Sequence, residues 1–327
     1  MEKVISGIRP TGNLHLGNYF GAVKSFVRMQ KEFNCMFFIA DWHSLTTHPK
    51  PENIRQSVKT ILAEYLACGI DPEVAPLYVQ SDVKEVLELY LYLNMNAYLG
   101  ELERVTSFKE KVRKQPDNVN AGLLTYPSLM AADILVHKAD KVPVGKDQEQ
   151  NMEMARLFAR RFNRIYEVEY FKEPESYHFT NKAIKVPGLD GSGKMGKSEG
   201  NAIYLVDDEA TIKKKVMKAV TDSGPTMLNQ EKPEAIKNLF TLLELVSDQQ
   251  TYDYFDDQYN NMTIRYGDLK KQLASDINAF CAPIRERILD FQQNEEYLQK
   301  VIRMGAQAAS ESAAKTIQEI RQIVGFR

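Results

Sequence analysis

Three short apolar runs, each followed by residues at helical spacing, constrain this chain more than any other feature. The runs are residues 4–8, 35–40 and 75–80, each of a length that suits one buried strand. After the first, Phe20, Val23, Phe26 and Val27 recur at helical intervals. After the second, Ile54, Val58, Ile61, Leu62, Tyr65 and Leu66 share one face of a helix expected over 52–68, and Gly69 stops it. After the third, 83–99 reads as a leucine- and tyrosine-rich helix. Strand–helix alternation of this kind means a parallel sheet covered by helices, with ligands at the carboxyl ends of its strands. Residues 9–12, 41–43 and 80–82 are therefore expected to rim one crevice.

The first run ends in a turn where Pro10 fixes its φ angle and Gly12 tolerates a tight bend. Strand, turn and helix start then leave backbone N–H groups free to meet an anion. Further on, 102–113 is charged and reads as a short exposed helix, 116–120 as a loop, and 125–135 as an apolar helix carrying one carboxylate, Asp133. A short strand and turn over 140–145 precede a helix over 147–162. The texture changes near residue 180. Residues 189–201 are rich in glycine and lysine, 202–206 are apolar, and from 209 only helical periodicities follow. A second, helical domain is expected from about residue 206.

The totals narrow the class. With 327 residues, 43% of them hydrophobic, the chain suffices for one large or two moderate domains. A net charge of −2 gives no global basic field, so a nucleic-acid partner would need a local basic face. Cys35, Cys68 and Cys281 are too few and too scattered for a disulfide framework or a cysteine-rich zinc site, which fits a reducing cytoplasm. The first residues lead into a strand rather than a signal peptide, and no apolar run is long enough to span a bilayer. A soluble intracellular protein is expected.

Residues 188–194 nearly spell a phosphate-binding P-loop, but Met195 stands where that motif needs a hydroxyl on Mg2+. A thioether is a poor ligand for a hard cation, so a P-loop ATPase is set aside. Two lysines three apart remain, Lys194 and Lys197, able to neutralise charge on a leaving pyrophosphate. Asp133 is the other conspicuous group. A carboxylate buried without a partner is costly, so an Asp on an apolar helix points to a ligand-facing role.

Thr11-Gly-Asn-Leu-His15-Leu-Gly17-Asn18 resembles the HIGH-type signature of class I aminoacyl-tRNA synthetases, and Lys194-Met195-Gly196-Lys197-Ser198 is similar to their KMSKS loop. Residues 6–12, 100–104, 124–134 and 142–148 resemble the tryptophanyl-tRNA synthetase family, of bacterial type. The resemblance covers most of the first two hundred residues and runs on more thinly after them. It implies a Rossmann-like parallel-sheet catalytic domain over 1–205 and an all-helical anticodon-binding domain over 206–299, with the last helix, about 300–327, packing back on the sheet. It implies ATP-dependent activation of L-tryptophan to tryptophanyl-adenylate, transfer to tRNA(Trp), Mg2+ accompanying ATP, and a homodimer in the cytoplasm with no membrane partner.

By the same resemblance, His15, Lys111, Lys194 and Lys197 carry the catalysis. Arg9, Pro10, Thr11, His15, Gly17 and Asn18 line the ATP side, with Gly17 letting the nucleotide approach the backbone. Gly145, Lys146 and Asp147 match a ribose- and adenine-holding segment and Val186 an adenine-lining position, while Met195, Gly196 and Ser198 complete the loop. Tyr126 and Gln148 match positions that hold the substrate ammonium, and His43 and Met130 complete the pocket walls. Indole carries one N–H donor and no acceptor, and Asp133 matches the residue that accepts it. Tyrosyl-tRNA synthetases share the fold and place a Gln three residues after the pocket tyrosine to help grip the phenol. Here that residue is Leu129, which cannot hydrogen-bond a hydroxyl. A catalytically inactive relative would show damage to the His15 motif or the lysine loop, and both are intact.

Two positions depart from the family pattern. Gly196 replaces the usual Ser, so phosphate contact there is expected from backbone N–H. Arg9 stands where Gln is frequent, and reaches an ATP phosphate or the substrate carboxylate, or pairs with an acid. The substrate carboxylate is ionised at neutral pH and attacks the α-phosphate itself, so neither a protein nucleophile nor a general base is needed. No carboxylate cluster offers a dedicated Mg2+ cage. For tRNA, Lys213, Lys214, Lys215 and Lys218 form the candidate basic face, with Arg265, Arg285 and Arg287 as alternatives.

Overall fold

The three apolar runs form three adjacent strands of a five-stranded parallel sheet in a computed structural model that describes residues 1–145, 148–178 and 186–327. The strands are β1 (Lys3–Ile8), β2 (Asn34–Ile39), β3 (Leu77–Val79), β4 (Lys141–Pro143) and β5 (Glu175–Tyr177), in spatial order β3-β2-β1-β4-β5. β1 and β2 run in step from Lys3↔Asn34 to Ile8↔Ile39, so their carboxyl ends finish level. β5 was not expected. It is three residues, Glu-Ser-Tyr, on the sheet's edge, and a short polar edge strand carries no apolar run to betray it.

Helices α1 (Leu16–Asn18), α2 (Lys24–Met29), α3 (Asp41–Ser44), α4 (Pro51–Ala67), α5 (Glu85–Met95), α6 (Leu99–Leu102), α7 (Thr106–Lys114), α8 (Ala121–Leu135) and α9 (Glu149–Ile165) connect the strands. The helix expected over 83–99 is two, because the chain breaks after Met95 where the Asn96 side chain turns back onto the Tyr92 carbonyl at 2.9 Å. The charged stretch becomes helical only from Thr106. α8 starts four residues earlier than its apolar pattern, since Asn120 caps it by accepting the Leu123 N–H at 3.1 Å. Such a cap contributes about 1 kcal/mol.

Alternate residues of β1 and β2 feed two cores. Val4, Phe37 and Ile39 pack with α2 and α4, while Ile5, Met36 and Phe38 pack with α5, α8 and α9. The first core runs on through Met195 and Ile203 into α10 (Glu209–Met217), α11 (Glu234–Val246), α12 (Gln249–Asn260) and α13 (Tyr266–Gln293). The last helix, α14 (Glu295–Val324), crosses the other way and buries Ala309, Ala313, Ile317 and Ile320 in the second core. Gly305 lies against the backbone of β3, where a Cβ would stand 2.1 Å from the Leu77 carbonyl oxygen. Only glycine admits that approach. Among the described residues no helix is long and apolar enough to cross a membrane.

Candidate active site

Tyr126, Met130, Asp133 and Ile134 fall on one face of α8, which the helical repeat turns toward the carboxyl ends of the strands. With them Ile5, Phe26, Phe38, Val142 and Val144 enclose a cavity of about 430 Å³, largely apolar, into which Arg9, His43, Lys111, Gly145 and Gln148 also project. Of the strand-end residues expected to rim one crevice, Arg9 and His43 line it, whereas 80–82 do not and Gln80 reaches it only through Asp133. Asp41 ties its rim together, its Oδ1 accepting the Ser81 N–H at 3.0 Å across from β2 to β3.

Asp133 is 2% exposed. Its Oδ1 accepts the Gln80 Nε2 amide at 2.7 Å and its Oδ2 meets His43 Nε2 at 2.8 Å. Burial raises its pKa above the usual carboxylate value, and both partners pull it back by favouring the anion. Each carboxylate oxygen still has a second lone pair to offer a ligand. Beside it the Tyr126 hydroxyl pairs with Ser107 and donates to Asn151 Oδ1 at 3.3 Å, and Asn151 in turn donates to Gln148 Oε1 at 2.8 Å. Leu129 packs into the apolar core beside α8 rather than lining the cavity.

Two cations also line the cavity. The Lys111 ammonium sits 3.4 Å from the centroid of the Tyr126 ring, and burial, followed by the Arg9 charge, lowers its pKa to about 8. Of the alternatives open for Arg9, pairing with an acid is not seen: among the described residues it forms no ion pair, and its Nε is buried without a partner. Two like charges held together beside an apolar cavity make a site for an anion.

The nucleotide signature forms a second cluster next to this cavity. His15 caps α1, its Nδ1 accepting the Asn18 N–H at 3.3 Å while Asn18 Oδ1 accepts the His15 N–H at 3.1 Å. Burial, then Lys197 and Lys194, push the imidazole pKa down to about 4. His15 is therefore neutral at pH 7, with its Nε2 as the N–H donor. Its contribution is a directed hydrogen bond rather than a positive charge. Gly17 has a local reason to be glycine as well, since a Cβ there would stand 2.8 Å from the His15 ring.

The lysine loop closes over this turn. Met195 is buried and donates its N–H to the Val186 carbonyl at 2.8 Å; Lys197 Nζ donates to the Gly12 carbonyl at 2.8 Å and the Thr11 carbonyl at 3.2 Å. Lys194 is exposed, Pro10 is buried and Ser198 bonds to its neighbour Glu199 at 2.5 Å. The Gly196 N–H, expected to meet phosphate, is instead given to Asn201 Oδ1 at 2.9 Å. Asn201 also donates to Asp190, Ser192 and the Lys194 carbonyl, so one buried side chain holds the loop's shape. Lys146 and Asp147 lie outside the described residues.

Gln80, Glu64, Asn151 and Asn201 were not singled out from sequence, Gln80 beyond its place on the rim. Glu64 is fully buried on α4, accepts the Leu14 N–H at 2.8 Å and has its pKa raised to about 8 by burial. Its signal was available: a carboxylate between Leu62, Tyr65 and Leu66 on the apolar face of a helix. Of the candidate tRNA-facing cations, three are engaged within the chain. Lys215 pairs with Asp207 at 2.6 Å, Arg285 donates to the Asp207 carbonyl at 2.5 Å and Arg287 to the Ala67 carbonyl at 2.8 Å. Lys213, Lys214, Lys218 and Arg265 are exposed.

Residues 2–282 match the family model described as tRNA synthetases class I (W and Y). The chain is 73% identical, over its full 327 residues and the whole of the relative, to a tryptophan–tRNA ligase of Porphyromonas gingivalis. It is 39% identical to another from Fusobacterium nucleatum, covering 100% of this chain and 98% of that one. In structure it is similar to tryptophanyl-tRNA synthetase from Campylobacter jejuni complexed with ADP and tryptophan, with a TM-score of 0.89 and 36% identity, over 99% of this chain and 100% of that one.

Proposed function

The chain belongs to the class I tRNA synthetases for tryptophan and tyrosine, and on that premise we propose how its residues divide the ATP-dependent joining of L-tryptophan to tRNA(Trp). The reaction has two steps: tryptophan's carboxylate displaces pyrophosphate from ATP to give tryptophanyl-adenylate, and the tRNA terminal ribose hydroxyl then takes the acyl group. The observation that carries the residue-level reading is Asp133, one ionisable acceptor buried in an apolar cavity that suits a side chain with one donor.

In this reading the indole N–H is accepted by Asp133, between walls formed by Met130, His43 and the apolar lining. Tyr126 and Gln148 receive the ammonium group. Arg9 and Lys111 face the substrate carboxylate and the α-phosphate, where two cations align two mutually repelling anions. Neutral His15 donates from Nε2 to a phosphate oxygen, and Lys194 and Lys197 neutralise the departing pyrophosphate. Lys197 must first leave the Thr11 and Gly12 carbonyls, so its reach onto phosphate is a rearrangement within the loop. Gly145 and Val186 flank the adenosine.

Mg2+ would accompany ATP and supply charge at its phosphates. Among the described residues no three His, Cys, Asp or Glu side chains gather as a metal cage, so no protein ligand is proposed. Residues 206–299 form the anticodon-reading region, with Lys213, Lys214 and Lys218 as its basic face. A homodimer is supported by Leu87, Leu91 and Met95, spaced four apart along α5 and exposed together with Tyr98 and Leu99, an apolar stripe suited to a second copy. Three buried unpaired cysteines fit a cytoplasmic setting.

The test is amino-acid-dependent exchange of pyrophosphate into ATP with tryptophan, tyrosine and phenylalanine. Stimulation by tryptophan alone is expected; stimulation by tyrosine instead would overturn the reading of Asp133.

A further inference from the structure

Gln80 opens the tight turn that follows β3, with its side chain fully buried and pointed at Asp133. Its Nε2 donates to Asp133 Oδ1 at 2.7 Å, while its own Oε1 is buried without a partner. A glutamine kept for packing alone would give way to an apolar residue of the same length, and would not strand an acceptor. Rotating the amide would bring its oxygen against the carboxylate, so the observed orientation is the one that serves an ionised Asp133. We propose that Gln80 is a positioning residue for amino-acid selection, holding the Asp133 carboxylate ionised and turned so that a free lone pair meets the indole N–H. The inference rests on the reading of Asp133 as the indole acceptor and adds the group that maintains it.

The surroundings explain why such a group is needed. Burial favours the neutral acid, and a protonated Asp133 would be a weaker acceptor and would add a donor to the pocket. The ionisable groups around Asp133 are His43 and Asp41 on α3, Tyr78 on β3, Tyr126 on α8 itself, and Arg9 and Lys111 in the cavity lining. Of these, Asp41 and Tyr78 give no stabilisation to the anion, and neither Arg9, Lys111 nor Tyr126 bonds to it. Two donors remain, His43 on Oδ2 and Gln80 on Oδ1. A glutamine amide has no titratable proton. The amide therefore keeps one hydrogen bond on the carboxylate at every pH, and its position directly after a sheet strand fixes the direction of that bond.

The experiment replaces Gln80 with Met, which keeps the length and removes the donor, and follows pyrophosphate exchange by the full-length protein from about pH 6 to about pH 9. Removing a donor to the anion raises the pKa of Asp133, so the acidic limb of kcat/KM for tryptophan should move to higher pH. KM for tryptophan should rise by about tenfold while KM for ATP stays within about twofold, as expected for loss of a hydrogen bond to a charged group. Preference for tryptophan over its benzothiophene analogue, which has sulfur in place of the indole N–H, should shrink by about tenfold. A Gln80→Met protein that binds ATP normally and keeps the wild-type pH limb and analogue preference overturns the proposal. Should Gln80→Met fail to fold, Gln80→Asn, whose amide falls one methylene short of Asp133, must show the same upward movement of the limb, and an unmoved limb overturns the proposal equally. A wild-type protein showing no tryptophan-dependent exchange would instead remove the reading of Asp133 on which the proposal rests.

Discussion

The amino-acid cavity and the lysine loop are built on opposite plans. In the cavity, Asp133 is buried on α8 and both its oxygens are engaged by side chains from the segments that follow β2 and β3. On the loop, Lys194 is exposed and Lys197 rests on the backbone carbonyls of Thr11 and Gly12, with Asn201 linking the turns. A group that must discriminate between side chains is fixed before the ligand arrives, because a loose acceptor would tolerate the wrong donor. A group that meets charge only as it develops has to be free to move toward it. The contrast assigns selection to the sheet ends and rate to the loop.

Substitutions on each side should separate the two. The largest effect is expected at Asp133. Asp133→Ala removes the acceptor and leaves the Gln80 and His43 donors unpaired, so kcat/KM for tryptophan should fall about a thousandfold, as for polar sites robbed of a partner, with KM for ATP little changed. Steady-state exchange measured against each substrate checks this, and an equal loss for ATP would erase the distinction. A smaller, pH-dependent effect is expected at Lys111, which stands between the two regions. Its pKa, lowered to about 8 by burial and Arg9, means that the free enzyme carries the charge below that pH and loses it as pH rises through it. The kcat/KM for ATP should therefore decline above pH 8, by up to about tenfold per unit, and Lys111→Arg should hold it level to higher pH. A wild-type profile flat to pH 10 would remove Lys111 from the phosphate site.

The sequence carried the parallel sheet almost whole, because buried strands announce themselves as apolar runs and only the polar edge strand β5 lacked one. The crevice was legible for the same reason, as the loops after β1, β2 and β3 had to meet at one edge. Within it, residues that touch a ligand were easier to find than residues that hold them. Asp133 stood out as a carboxylate on an apolar helix, whereas Gln80 sat in a strand-end rim among ordinary polar residues and Asn201 followed a glycine-rich loop whose lysines drew the attention. Their partners lie 53 and 11 residues away or fewer, and no local pattern encodes such pairings. The protonation of His15 was equally hidden, since it depends on burial and on two lysines brought near by the fold.

The division between selection and rate is tested most directly by the single-turnover rate of tryptophanyl-adenylate formation in Lys197→Ala, at saturating tryptophan and ATP, alongside the dissociation constant for tryptophan. The rate should fall by about a hundredfold, the usual cost of losing one group that stabilises developing charge, while tryptophan affinity stays within about twofold. An unchanged rate, or a loss of tryptophan affinity as large as the loss of rate, would contradict it.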